Sequence, residues 1–226
     1  MEIIWHGLSF FEIKGKRDGE KVTLAINPFD KSSGLKPPEV KADILVFSSP
    51  LKRGSALETA TGTSFLIDGP GEYEIKGVKI RGIPTVDAKR EEKGKAKNTI
   101  FKIEFEEIKI CHLGNFNEDQ VSSGILESIF GIDILFVPIG RDLTVSGKEA
   151  AKLVSQIEPK TVIPMNYLPS ESRSSFKTKG LKLDLQDEKD FLRNYGVKEK
   201  EKIKKLKIRA SNLQRNGTEL ILLEMA

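Results

Sequence analysis

Short apolar runs, separated by glycine, proline and charged residues, dominate the first half of the chain. Apolar residues at strand spacing predict strands over 3–5, 10–13 and 22–27. The run over 44–47, Ile-Leu-Val-Phe, is continuous, which is typical of a strand covered on both faces. Further segments of strand composition are 64–67, 73–75, 78–83, 100–105 and 108–111. The last two flank an acidic pair, Glu106-Glu107, which predicts a hairpin turn.

The second half of the chain carries helix start and stop signals. Residues 117–120, Asn-Glu-Asp-Gln, have the form of a capping box, and an apolar face follows before Gly131: Val121, Ile125, Ile129 and Phe130. A second capping box, from Ser146 to Glu149, predicts a helix whose core face is Ala150, Leu153, Val154 and Ile157. A third helix is predicted over 188–195, between Asp187 and Gly196.

Strands predicted at 134–137 and 161–163 alternate with these helices, which indicates strand–helix–strand crossovers in a parallel part of a sheet. Strands at 206–208 and 219–223 close the chain. The sequence has no repeat of fixed period and no segment long enough to link independent domains. We therefore predict one α/β domain over residues 1–226.

Composition narrows the class of protein. The chain has 226 residues, of which 38% are hydrophobic and 31% charged, as in an ordinary globular protein with a sizeable core. It has no apolar run of about 18 residues, so we expect no membrane span. The N-terminus has an acid and a strand pattern where a signal peptide would have cations and an apolar run, so we expect a cytoplasmic protein.

Two short segments hold the excess positive charge. Residues 198–209 carry net +5 and residues 89–97 net +3, whereas the whole chain carries +4. The functional interpretation is a phosphate or nucleic-acid contact, and the alternative is a solvated surface of a protein rich in lysine and glutamate. Glutamates interrupt both segments and neither contains an aromatic residue to stack on a base, so we favour the solvated surface.

Six motifs follow one another along nearly the whole chain. They are Trp5-His-Gly-Leu-Ser-Phe10, Asn27-Pro-Phe29, Gly69-Pro-Gly-Glu-Tyr-Glu74, Asn98-Thr-Ile-Phe101, His112-Leu-Gly-Asn115 and Pro164-Met-Asn-Tyr167. In this order they resemble the metallo-β-lactamase superfamily, in the branch that includes ascorbate-phosphate-lactonase-like proteins. The resemblance implies a four-layer αββα sandwich, with two mixed sheets facing each other, helices outside and a metal cleft along one edge.

The resemblance also implies metal ligands, and this chain departs from the family at each of their positions. One or two zinc ions would lower the pKa of a bound water and generate a hydroxide nucleophile. The family's Thr-His-x-His-x-Asp-His loop falls on residues 48–54, Ser-Ser-Pro-Leu-Lys-Arg-Gly, and the remaining ligand positions hold Val86, Asn115 and Asn166. Gly7-Leu8-Ser9 replaces the family's Gly-His-Ser. We therefore predict no metal site and no cofactor, although the family uses zinc.

Three functions remain open. The first is a non-catalytic member of the fold that acts by binding a small molecule or a protein, or by assembly; a homo-oligomer is expected by family analogy. The second is a remodelled cleft that recognises or processes an anionic, phosphorylated molecule through Ser49, Lys52, Arg53, His112, Asn115 and Asn166. The third is nucleic-acid binding through 198–209, which we regard as the weakest. Lys52 and Arg53 would repel a divalent cation in either of the first two cases.

The two histidines and the single cysteine offer little catalytic chemistry. We predict a structural hydrogen bond for His112, with a catalytic base as the alternative. Cys111 precedes it on a strand, where neighbouring side chains point to opposite faces, so we interpret Cys111 as a buried apolar residue and not as a nucleophile paired with His112. His6 lies two residues before the family's N-terminal histidine position, and we do not expect it to act as a ligand.

Overall fold

The computed structural model describes residues 1–49, 60–62, 65–86, 97–141, 144–170, 184–213 and 216–226. The helices are α1 (Ser123–Ser128), α2 (Gly147–Ile157) and α3 (Lys189–Tyr195). The strands, in chain order, are β1 (Glu2–Gly7), β2 (Phe10–Arg17), β3 (Glu20–Ile26), β4 (Val40–Lys41), β5 (Ile44–Val46), β6 (Ala60–Thr61), β7 (Phe65–Ile67), β8 (Gly71–Ile75), β9 (Val78–Val86), β10 (Lys97–Phe105), β11 (Ile108–His112), β12 (Ile134–Pro138), β13 (Thr161–Met165), β14 (Lys202–Ile203), β15 (Leu206–Lys207), β16 (Glu219–Leu220) and β17 (Leu222–Leu223).

The first sheet has six strands in the order β15-β1-β2-β3-β5-β7. Its first four strands are antiparallel, and β3, β5 and β7 are parallel. Asp18 and Gly19 both have positive φ, at 52° and 86°, so they form the tight turn that joins β2 to β3. All three residues of β5 are buried, as the continuous apolar pattern predicted.

The second sheet has seven strands in the order β16-β13-β12-β11-β10-β9-β8. The strands β8 to β11 form an antiparallel meander, whereas β11, β12, β13 and β16 are parallel. Glu106 and Glu107, with φ of 50° and 62°, form the turn between β10 and β11, so the predicted hairpin is confirmed. Both sheets are mixed, as predicted.

The two sheets face each other across one apolar core. The Phe11 ring on β2 stacks on the Phe136 ring on β12 with centroids 4.0 Å apart, and Trp5 on β1 stacks on Tyr167 after β13 at 4.8 Å. The helix α2 covers the outside of the second sheet at β12 and contacts α3. A second apolar cluster, which includes Phe29 and Leu35, packs on the outer face of the first sheet. This arrangement confirms the predicted α/β sandwich.

The helix boundaries confirm one capping prediction and correct another. Ser146 and Glu149 form the reciprocal bonds of the predicted capping box at the start of α2. The box predicted at 117–120 is wrong, because the N-cap residue of α1 is Ser122, five residues after Asn117. Phe130, which was predicted to belong to the apolar face of this helix, is 80% exposed.

The third helix corrects a cap assignment. The helix α3 begins after Glu188 instead of Asp187, although Asp187 accepts a hydrogen bond from the Lys189 N–H, and it ends at Gly196 as predicted.

No helix within the described parts of the chain has the length and apolar composition to cross a bilayer.

Candidate functional site

The resemblance places the cleft where strand ends from both sheets meet. The carboxyl ends of the parallel strands β3 and β5 and of β11, β12 and β13 lie along this edge of the sandwich. Seven polar residues lie at or near the strand ends of the two sheets at this edge, and all of them are buried: Ser9, Asn27, Ser48, Asn98, His112, Asn115 and Asn166. Buried polar side chains need hydrogen-bond partners, so their contacts define what this edge can do.

Asn27 joins three strand ends of the first sheet. Its side-chain amide donates to the Ser9 hydroxyl at 3.2 Å and to the Ser48 hydroxyl at 2.8 Å. Its side-chain oxygen accepts the Ser48 backbone N–H at 2.7 Å. The backbone of Asn27 is left-handed, with φ of 51°, a conformation that asparagine tolerates better than most residues. Asn27 therefore fixes the start of the segment that would carry the family's metal loop.

Asn98 has the matching role in the second sheet. Its amide donates to Thr85 Oγ1 at 2.9 Å and to the Leu113 carbonyl at 3.0 Å, and its side-chain oxygen accepts the Asn115 N–H at 2.8 Å. Gly114 lies between this group and Ser48, because a Cβ there would lie 2.3 Å from Asn98 Oδ1 and 2.8 Å from Ser48 Cβ. The two networks are therefore in contact.

Asn115 and Asn166, which the resemblance assigns to the cleft, are hydrogen-bonded to each other. The Asn166 amide donates to Asn115 Oδ1 at 3.4 Å, and the side chains belong to residues that are 7% and 8% exposed. The Asn166 backbone is left-handed, with φ of 55°, and its N–H donates to the Leu8 carbonyl at 2.8 Å. Gly140 makes room for it, because a Cβ there would lie 1.8 Å from the Asn166 carbonyl oxygen.

Both ring nitrogens of His112 contact the backbone. Nδ1 accepts the Gly114 N–H at 3.1 Å, and Nε2 lies 3.1 Å from the Ser9 carbonyl oxygen, which can only accept, so we assign the proton to Nε2. The ring is fully buried and meets Phe11 and Phe136 edge-on. These contacts suit the structural role predicted for His112, because a catalytic base needs a lone pair directed at a substrate.

Cys111 and His6 lie apart from this polar edge. Burial raises the pKa of the Cys111 thiol to about 12, so the thiolate needed for nucleophilic attack is scarce at neutral pH. His6 occupies a β-bulge between β1 and β2, and its Nε2 lies 3.3 Å from Glu12 Oε2. Burial opposes the ionisation of Glu12, but hydrogen bonds from His6 and Lys14 outweigh it and lower the Glu12 pKa.

The predicted anion site falls partly within the described residues. Lys52 and Arg53 lie outside the described residues, so the predicted anion site is described only through Ser49, His112, Asn115 and Asn166. Ser49 is buried and follows Ser48 at the end of β5. Val86 ends β9. Within the described ranges, no group of three His, Cys, Asp or Glu side chains has the arrangement of a metal centre.

Four residues of these networks were not predicted as site residues: Asn27, Ser48, Thr85 and Asn98. Asn27 and Asn98 stand in two of the motifs that carry the resemblance, next to apolar strands. A polar residue directly at the end of a buried strand is the signal that could have pointed to them, because such a residue is buried only when it is hydrogen-bonded.

Comparisons with known proteins agree with this architecture. The profile of the beta-lactamase superfamily domain matches residues 2–166. A protein of Thermococcus onnurineus named UPF0173 metal-dependent hydrolase is 28% identical over 192 residues, which cover 71% of this chain and 82% of the relative. A similarly named protein of Symbiobacterium thermophilum is 28% identical over 195 residues, which cover 74% and 84% of the two chains.

Solved structures extend the comparison to nearly the full length. A Thermotoga maritima protein described as a Zn-dependent hydrolase of the metallo-β-lactamase superfamily has a TM-score of 0.75 and 28% identity, with 99% of each chain covered. Igni18, a metallo hydrolase from Ignicoccus hospitalis, is similar in fold alone, with a TM-score of 0.55, 19% identity and coverage of 80% and 91%. Because the profile match spans most of its length, this chain belongs to the metallo-β-lactamase superfamily.

Proposed function

We propose that this chain is a non-catalytic member of the metallo-β-lactamase superfamily, which acts by binding or assembly and does not hydrolyse a substrate with a metal. The observation that carries the proposal is the pair Asn115 and Asn166, whose carboxamides occupy ligand positions of the family and hydrogen-bond to each other. A carboxamide is neutral and lacks both the charge of a carboxylate and the imidazole nitrogen that zinc prefers.

The donor set does not fit a zinc centre. Zinc in proteins is held by three or four thiolate, imidazole or carboxylate groups. The whole chain has two histidines and one cysteine. The ring nitrogens of His112 are used by backbone groups, and Cys111 is a fully buried thiol with a raised pKa. Residues 50–59 lie outside the described part, but their sequence contains no histidine or cysteine and a single acid, Glu58.

The relatives are named metal-dependent hydrolases, which favours the opposite expectation, a bound catalytic metal. Measuring the metal content of the purified chain distinguishes the two expectations. We expect the chain, purified without chelators, to hold well below one zinc or manganese ion per molecule, and its melting temperature to be the same with and without a chelator. Stoichiometric metal, or a melting temperature that a chelator lowers and added zinc restores, would refute the proposal. The control is a metal-binding homologue carried through the same purification.

A second candidate is a cleft that binds a phosphorylated molecule without a metal. It is supported by the bonds between Asn27 and Ser48, which anchor the strand end that Lys52 and Arg53 follow in the sequence. Lysine and arginine bind anions through charge-assisted hydrogen bonds.

A thermal-shift screen tests the second candidate. Phosphates, nucleotides and sugar acids would be screened on the unmodified chain and on Lys52→Ala and Arg53→Ala. We expect a shift for at least one phosphorylated compound that both variants lose, whereas the control Lys148→Ala, an exposed cation at α2, keeps it. No shift for any compound, or equal shifts in all variants, would remove this candidate.

A further inference from the structure

A second concave surface lies at the opposite end of the sandwich from the cleft. We call it the basic groove; its cavity volume is about 1070 Å³ and its lining includes the ends of β1, β2 and β15, the turn at Glu106-Glu107 and the turn at residues 210–212. The strand β2 runs from Phe10 at the cleft to Arg17 near the groove. At about 3.3 Å per residue, the two sites are about 23 Å apart.

Four exposed cations line the basic groove without an ion pair to any described residue: Lys16, Lys21, Lys207 and Arg209. Two other cations at this end of the sandwich are paired, and one of them, Lys14, also lines the groove. Lys14 Nζ lies 2.9 Å from Glu12 Oε1, and Lys205 Nζ lies 3.1 Å from Glu2 Oε2. Of the five lysine and arginine side chains that line the groove, four therefore lack an acidic partner among the described residues.

The acids around the basic groove do not neutralise these cations. Both carboxylate oxygens of Glu106 are engaged, one by the Lys16 backbone N–H at 2.5 Å and the other by the Met1 nitrogen at 2.5 Å. Glu2 is paired with Lys205. Glu107 is the acid of the groove that forms no ion pair within the described residues, so four unpaired cations face one unpaired carboxylate.

Two of the cations are held against each other by the sheet. Lys16 on β2 is directly opposite Lys21 on β3, and like charges in such cross-strand pairs destabilise a sheet. Gly15 lets the β10–β11 turn approach β2, because a Cβ there would lie 2.5 Å from the Phe105 ring. The turn then forms one wall of the groove beside the opposed lysines.

We propose that the basic groove binds a small polyanion with several phosphate groups. Lysine and arginine are the usual partners of phosphate oxygens, and Ser211 and Asn212 add a hydroxyl and an amide to the lining. A bound polyanion would relieve the repulsion between Lys16 and Lys21. No aromatic side chain is among the described lining residues, which disfavours stacking of nucleic-acid bases.

Calorimetric titration of the full chain with tripolyphosphate tests this proposal. We expect binding that weakens as salt is raised from about 50 to about 300 mM, since exposed charges are screened. Lys16→Gln/Lys21→Gln removes two groove charges and keeps the backbone bond to Glu106; we expect its affinity to fall about 10-fold or more.

The matched control is Lys198→Gln/Lys200→Gln, which removes the same charge from exposed positions of the basic segment outside the groove lining. We expect it to change affinity less than about 2-fold. No binding by the unmodified chain, or equal losses in the two double variants, would overturn the proposal. Circular dichroism of each variant verifies that it is folded before titration.

A duplex of about 20 base pairs distinguishes the small polyanion from a nucleic acid, because duplex binding has a steep salt dependence set by the number of phosphate contacts. Absence of duplex binding, or displacement of the duplex by tripolyphosphate, supports the small polyanion. Tight duplex binding that tripolyphosphate does not displace would overturn the proposal. Because the groove is remote from Asn115 and Asn166, loss of binding here leaves the metal analysis of the cleft unaffected.

Discussion

Replacing Asn27 tests whether hydrogen bonds hold the cleft edge together. In Asn27→Ala the Ser48 N–H loses its acceptor in a buried site, which costs about 1–3 kcal/mol. Alanine at φ of 51° adds about 1–2 kcal/mol, because asparagine tolerates the left-handed conformation better than other L residues. We expect the free energy of unfolding to fall by about 2–5 kcal/mol, a large part of the total of about 5–15 kcal/mol that is typical of a domain.

Urea unfolding followed by tryptophan fluorescence measures this loss. Trp5 is the single tryptophan, is fully buried and stacks on Tyr167, so its emission reports unfolding of the core. Asn27→Gly separates the two contributions, because glycine adopts positive φ freely; it should be about 1 kcal/mol more stable than Asn27→Ala. Exposed Asn212→Ala is the control and should change stability by less than about 0.5 kcal/mol.

Two outcomes would refute the reasoning on Asn27. A loss below about 1 kcal/mol in Asn27→Ala would mean that the buried Ser48 N–H finds another acceptor at little cost. Asn27→Gly less stable than Asn27→Ala would mean that the left-handed backbone does not contribute to the loss.

Three further predictions follow from the same structure. Gly140→Ala should lower the free energy of unfolding by about 2 kcal/mol or more, because its Cβ would lie 1.8 Å from the Asn166 carbonyl oxygen. Gly124→Ala in α1 is the control: its Cβ would have no atom within 4 Å, so the change should be neutral or stabilising. Equal effects of the two changes in urea unfolding would contradict this prediction. Cys111 should resist a thiol reagent at pH 8 and react fully in denaturant, because burial raises its pKa to about 12; rapid labelling of the folded chain would contradict this. The folded-state pKa of Glu12 is lowered, so its contribution to stability is present above the unfolded value of about 4.3 and is lost as pH falls through the folded pKa. Glu12→Gln should therefore flatten the fall in stability below about pH 4.3, and an unchanged acid dependence would contradict this prediction.

The two capping boxes show when a local signal suffices. At Ser146 and Glu149 both partners belong to the same turn of helix, so the sequence alone predicted the contact that the structure shows. At 117–120 the same signal was misleading. The Val121 N–H donates to Gln156 Oε1 at 2.7 Å, and Gln156 Nε2 donates to the Val121 carbonyl at 2.8 Å. These two hydrogen bonds from Gln156 on α2 occupy the N–H and carbonyl of Val121, which a helix starting at 117 would need for its own backbone bonds.

At the candidate site, too, one part was expected from the sequence and another was not. The resemblance implied one cleft for Asn115 and Asn166, and in the structure the Asn166 amide lies 3.4 Å from Asn115 Oδ1. The hydrogen bonds of Asn27 to Ser9 and Ser48 were not predicted, because Asn27 is 18 residues from Ser9 and 21 from Ser48 in the chain. Whether a buried amide finds a partner depends on which strand ends are brought together, and a sequence pattern carries no such distance.

The sequence by itself determined the superfamily, through the order of six motifs along nearly the whole chain, and the strand or helix character of most segments, because strand and helix periodicity are local properties of the chain. Only the tertiary structure decided which polar groups are satisfied by one another and which charges are left unpaired. Lys16 and Lys21 look unremarkable in the sequence, yet β15 brings Lys207 and Arg209 to the same groove from the far end of the chain. Whether a charged side chain has an ionic partner depends on which residues lie within a few ångströms of it in space. The unpaired cations of the groove are therefore visible only in the folded structure.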